Sequence, residues 1–128
     1  MAGILLFNIE GEKLRRIGAI AEALGIACRS VEAKDQHKPL GELVGLVESF
    51  PKPERIEPFS EEMLVIYELD EQTFTALLHM LRRDGAAVAL KAIVTEHNLL
   101  WSAAKLGREL AEEHARMAEL LKARAGKE

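Results

Sequence analysis

The sequence predicts an α/β domain in which a four-stranded sheet is covered by helices on both faces and a long helix closes the chain. Three observations carry that expectation. Apolar runs of strand length alternate four times with stretches of helical period. Two of those runs, Ile4–Ile9 and Met63–Leu69, are almost continuously apolar, as strands buried on both faces are. The length of 128 residues, with 48% hydrophobic and 30% charged residues, suits one domain that buries a core without disulfide or metal.

Each element has its own local reason. Ile4–Ile9 is the first strand. Glu12–Leu24 then takes helical period, with Leu14, Ile17, Ala21 and Leu24 on one face and Arg15, Arg16 and Glu22 on the other. Gly25 can adopt the left-handed conformation that ends a helix. Ile26–Glu32 alternates as an edge strand does, with Ile26, Cys28 and Ser30 on one face. Ala33–His37 is polar and turn-like, and Pro39 sits where a short helix Leu40–Val47 begins. Gly41 and Gly45 within it permit close approach of another backbone. Residues 49–60 hold three of the four prolines and form an irregular connection, with Phe50, Ile56 and Phe59 as apolar anchors.

The second half repeats the plan. Met63–Leu69 is a strand, and Asp70 followed by Glu71 suits a helix start. Phe74, Leu77, Leu78 and Leu81 form the buried face of that helix, and Gly85 stops it. Ala89–Val94 is the fourth strand. The last helix runs from Ser102 to Ala123, with an inner stripe of Leu106, Leu110, His114, Met117 and Leu121. Residues 1–123 thus read as a single domain, and 124–128 as a frayed tail.

Four strand–helix units give a (βα)4 domain of three layers. Its direct solution is a parallel sheet of order 2-1-3-4, which places the two most apolar strands in the middle. A ferredoxin-like α+β sheet of order 4-1-3-2 also places them there. The long connection from Glu32 to Met63, with a helix of its own, favours the parallel sheet.

Composition narrows the function. A net charge of −4 and a pI near 5.6 argue against nucleic acid as the main partner, because phosphate binding relies on clustered Lys and Arg. The single cysteine, Cys28, forms no internal disulfide, which fits a reducing cytoplasm. No apolar run reaches membrane-spanning length, and the N-terminal run is too short for a signal peptide. A soluble, cytoplasmic protein without membrane or nucleic-acid partners is expected.

The richest stretch for chemistry is Val88–Met117. In an open parallel sheet, ligands gather beyond the carboxyl ends of the strands. Asn8 and Glu10 would line one side of such a crevice and Asp70 the other, with Thr95, His97, Asn98 and Trp101 leaving the same edge. These seven are the candidate ligand-binding residues. Thr95 and Asn98 equally suit turn and capping hydrogen bonds, and Trp101 a half-buried anchor. His114 interrupts an apolar stripe, where it can pack or serve as an acid–base group. No HxxxH, HxxE or CxxC spacing supports a metal. The first strand–helix turn, Asn8-Ile9-Glu10-Gly11-Glu12, lacks the glycines of a phosphate loop and carries two carboxylates instead. No cofactor is expected, and Cys28 reads as buried and inert.

Three stretches carry a family resemblance: Ile4–Ile9, Lys38–Gly45, and Leu90–Trp101 together with Glu113–Met117. They resemble the domain of unknown function 3783 family. The resemblance implies a small bacterial cytosolic domain with no established activity and no catalytic residues to carry over. Members tend to show Pro after the Thr of the strand-end turn, where this chain has Glu96-His97, so His97 has no role common to the family. The expected function is a module that binds a small molecule or a protein without catalysis. The alternatives are a small enzyme using His114 or the Thr95–Asn98 turn, and a structural homo-oligomeric module.

Overall fold

The structure, a computed structural model, describes residues 2–45 and 58–125. The elements follow in the order β1 (Gly3–Phe7), α1 (Gly11–Leu24), β2 (Ala27–Val31), a 3-10 turn (Ala33–Asp35), α2 (Leu40–Leu43), β3 (Met63–Tyr67), α3 (Glu71–Arg83), β4 (Leu90–Ile93) and α4 (Ala103–Ala125). The strands form one sheet in the order β2-β1-β3-β4, with the two apolar runs at its centre. Every residue of β1 and β3 is buried.

Alternation along the strands divides the core in two. Ile4, Leu6, Leu64 and Ile66 face α1 and α3, where they meet Ile17, Ile20, Leu77 and Leu81. Leu5, Phe7, Met63 and Val65 face the other way, toward Leu40 and Leu43 of α2 and Ala103, Ala104 and Leu106 of α4. Three layers result, as expected.

The direction of the central pair is not as expected. β1 is parallel to β2, and β3 to β4, but β1 and β3 are antiparallel, with Phe7 opposite Met63 and Gly3 opposite Tyr67. The sheet is mixed, not wholly parallel. The reason lies in the connection after β2. Val31 ends beside Phe7, and Met63 begins beside Phe7, so the chain leaves and re-enters the sheet at one edge. α2 is a single turn that covers this end without carrying the chain to the opposite edge. The ferredoxin-like alternative fails on strand order.

The molecule is therefore two strand–helix–strand units joined back to back. Their local signatures recur at the same interval in sequence. Asn8 (φ 61°) follows β1 as Glu68 (φ 58°) follows β3, and Gly25 (φ 69°) follows α1 as Gly85 (φ 67°) follows α3. Asn tolerates the left-handed region better than most side chains. Arg16 of α1 donates to the carbonyl of Asp84, the cap of α3, at 3.0 Å.

Three expectations on boundaries and burial need correction. α2 ends at Leu43 and not at Val47, because Val44 leaves helical geometry and Gly45 turns left-handed at φ 78°. Cys28 is exposed, because β2 is an edge strand and its middle residues are only partly covered. The inner stripe of α4 is buried only at its start: Leu106 is buried and Leu110 half-buried, but His114, Met117 and Leu121 are exposed. At about 1.5 Å per residue this helix is roughly 35 Å long, longer than the sheet it lies on. Residues 46–57, with the expected anchors Phe50 and Ile56, and residues 126–128 of the tail lie outside the described residues.

Candidate functional site

Asn8 and Gln36 form a polar clamp at the end of β1. The left-handed turn at Asn8 aims its amide at the chain entering β3, where Nδ2 donates to the carbonyls of Phe59 (2.9 Å) and Glu61 (2.8 Å). Gln36 is fully buried. Its Nε2 donates to Asn8 Oδ1 at 3.3 Å, its Oε1 accepts from Phe59 N at 3.0 Å, and its carbonyl accepts from Ala104 N at 2.8 Å. Such a group is costly to bury unless these bonds are made. The clamp seats Phe59 between Phe7, with ring centroids 5.8 Å apart, and Gly107 of α4. Asn8 is thereby committed to the fold.

The crevice that Asn8, Glu10 and Asp70 were expected to share does not form. With β1 and β3 antiparallel, Asn8 and Glu10 stand at one edge of the sheet and Asp70 at the other. Glu10 is exposed and precedes α1 without capping it. Asp70 caps α3 by accepting from Thr73 N at 2.7 Å, and that hydrogen bond holds its carboxyl below the usual range.

The turn after β4 is tied internally. Asn98 Oδ1 accepts from Thr95 N (2.8 Å), Asn98 Nδ2 donates to the Ile93 carbonyl (3.0 Å), and Thr95 Oγ1 accepts from His97 N (3.2 Å). These are the turn bonds that Thr and Asn commonly make. His97 itself is exposed. The chain then docks on α2: Leu40 N donates to the Trp101 carbonyl (2.9 Å) and Gly41 N to the Leu99 carbonyl (2.8 Å). Gly41 thus meets another backbone, as its small size allows. Trp101 is half-buried against the core, with Lys105 Nζ 4.5 Å from its ring centroid.

The open surface lies around β4 and α4. One hollow of about 230 Å³ separates the start of β4 from the middle of α4, with Leu90, Lys91, Leu110, Glu113, His114 and Met117 around it. A second, of about 370 Å³, lies on the other face of β4 and is lined mainly by Ile66, Phe74, Leu78 and Ile93, with Lys91 and Thr95 at its side. His114 is thirteen residues beyond Trp101 on an unbroken helix, about 20 Å along its axis, so the turn and this histidine occupy different ends of β4. From the rim of the first hollow outward, Met117 (55% exposed), Leu120 (61%) and Leu121 (62%) continue along α4 in water.

Among the described residues no group of three or more His, Cys, Asp or Glu is placed to hold a metal, and no helix is long and apolar enough to cross a membrane. Burial pushes the Cys28 thiol above its ordinary value, so it is not an activated nucleophile. Sequence reasoning missed Gln36, which reads as one polar residue in a polar turn. It also assigned the apolar half of α4 to the core.

The fold and its surface define a mixed α/β domain that presents an uncovered helix beside a half-open edge strand. The family model described as Domain of unknown function (DUF3783) matches residues 62–117, so that stretch of the chain is similar to this family. The match spans the second strand–helix–strand unit and α4 as far as Met117. Neither a curated protein nor a solved structure matches the chain.

Proposed function

We propose that this domain is a protein-binding module without catalytic activity, and that the outer half of α4 is its contact surface. The observation that carries the reading is the exposure of Met117, Leu120 and Leu121, which stand at i, i+3 and i+4 on one side of the helix. Burying a large apolar side chain is worth about 1.5–3 kcal/mol. Three such side chains grouped on a projecting helix mark a contact surface, where scattered ones would need no explanation.

The test is a photocrosslinking amino acid placed at Leu121, compared with the same group at the exposed Ala23 of α1, in cells of the native host. The expected result is a defined protein adduct from position 121 alone. Identical adduct patterns from both positions, or none from position 121, would sink the reading.

A second reading rests on the 370 Å³ hollow beside β4. Its volume and mainly apolar lining suit a small apolar ligand, with Lys91 and Thr95 at its side for a polar end. Amide shifts of Ile93 and Phe74 on titration with a fragment library, lost in Ile93→Glu, would support it.

A further inference from the structure

We propose that the partner seated on α4 is a second copy of this chain, its own α4 lying antiparallel across the first. The inference rests on the proposal that α4 is a contact surface, and it names the occupant. Two features of the helix point there.

The first is spacing. Leu110, His114, Met117 and Leu121 follow at intervals of four, three and four. That is the seam of a two-helix coil, in which each side chain fits between four of the facing helix. A helix meant only to cover its own sheet has no use for this pattern beyond the sheet. Here the pattern continues to Leu121, although only its first member is half-buried in the fold. In an antiparallel pair crossing near His114 and Met117, each Leu121 meets the partner's Leu110. It then closes the hollow at the start of β4.

The second is charge. Along the exposed part of α4 acids predominate first, at Glu109, Glu112 and Glu113, and bases later, at Arg116 and Lys122, with Arg108 and Glu119 the two exceptions. An antiparallel pair sets the acidic half of each helix against the basic half of the other. A parallel pair sets like against like. The distribution is self-complementary only under a two-fold axis across the helix, which is the symmetry of most homodimers.

The interface formed by two such helices falls at the small end of specific contacts, below about 1,200 Å², so a weak and reversible dimer is expected. Sedimentation velocity of the full chain across roughly 5–500 µM should show concentration-dependent dimerisation. Met117→Glu with Leu121→Glu should be monomeric throughout, with an unchanged circular dichroism spectrum and melting temperature at the lowest concentration. Lys122→Glu reports the orientation. It weakens an antiparallel dimer about two- to fivefold by setting acid against the partner's acidic half, whereas in a parallel one it only exchanges one pair of like charges for another. Adding Glu109→Lys to it should restore dimerisation, since the register that sets Leu121 on the partner's Leu110 sets Lys122 on the partner's Glu109. A dimer that survives Met117→Glu with Leu121→Glu, or one that Lys122→Glu leaves unchanged or strengthens, overturns the proposal. A monomer at every concentration overturns it as well. In that case an adduct to a different protein from position 121 leaves the contact-surface reading standing, and no adduct ends both.

Discussion

Replacing Gly107 by alanine tests whether α4 is held where the structure places it. A Cβ added there would lie 2.5–2.6 Å from three carbons of the Phe59 ring. Carbons in contact normally rest about 3.5–4.0 Å apart, so ring or helix must yield by roughly 1 Å. The ring has little room to move. Phe7 lies across it, Phe59 N is tied to Gln36 Oε1, and its carbonyl is tied to Asn8. Overpacking of this kind costs about 1–3 kcal/mol. Against it stands the helix preference for alanine over glycine, about 1 kcal/mol. The net expectation is a loss of up to about 2 kcal/mol, read as a lower urea midpoint with an unchanged slope. Gly18→Ala in α1 is the control, since its added Cβ meets nothing within 4 Å. That change should stabilise by up to about 1 kcal/mol. Phe59→Leu should reduce the penalty at position 107 by at least about 0.5 kcal/mol in a double-mutant cycle. If Gly107→Ala stabilises the protein as Gly18→Ala does, the seating of α4 on Phe59 is wrong.

Three further outcomes follow from named contacts. Asn8→Ala should lose about 3–4 kcal/mol in urea unfolding, from three side-chain hydrogen bonds and the cost of a left-handed alanine, and Asn8→Gly about 1 kcal/mol less; equal losses would show that the backbone at position 8 is not left-handed. The carboxyls of Asp70 and Asp84 titrate below their ordinary range, Asp70 through the Thr73 N–H and Asp84 through its hydrogen bond from Arg83. Their contribution is complete above the unfolded value near 3.8 and fades as pH falls through the lower folded values, so Asp70→Asn should flatten the acid side of a stability–pH profile. His114→Ala, measured at dilutions where the chain is monomeric, should change stability by no more than about 0.5 kcal/mol, because the side chain is exposed; a loss of 2 kcal/mol or more by thermal melting would place it in the core.

Much of the fold was legible because its signals are local. The two apolar runs marked the central strands, Gly25 marked the end of α1, and Asp70 marked the start of α3. Strand direction was not legible. It depends on which edge of the sheet the connection from Val31 returns to, and the length of a connection carries no such information. Gln36 was hidden for a related reason: it is buried by Phe59 and Ala104, which reach it from distant parts of the chain. The stripe on α4 was read correctly as periodic and wrongly as internal. Periodicity shows that a helix has an apolar side, but not whether its own sheet or another molecule covers it.

The antiparallel pairing of β1 with β3 also shapes the electric field around the molecule. Each strand is followed by a helix running back along it, so α1 and α3 lie side by side in opposite directions. A wholly parallel sheet would aim both helix N-termini at one edge, and their macrodipoles would add to a single positive pole, the arrangement that draws phosphate groups. Here the two macrodipoles oppose, and the negative end of α3 lies against α1, where the Arg16 guanidinium meets the Asp84 carbonyl. The field largely cancels between the paired helices, leaving each edge with one half-charge of either sign. An approaching charged ligand is not steered to either edge by these helices, and long-range attraction must come from surface side chains such as those of α4.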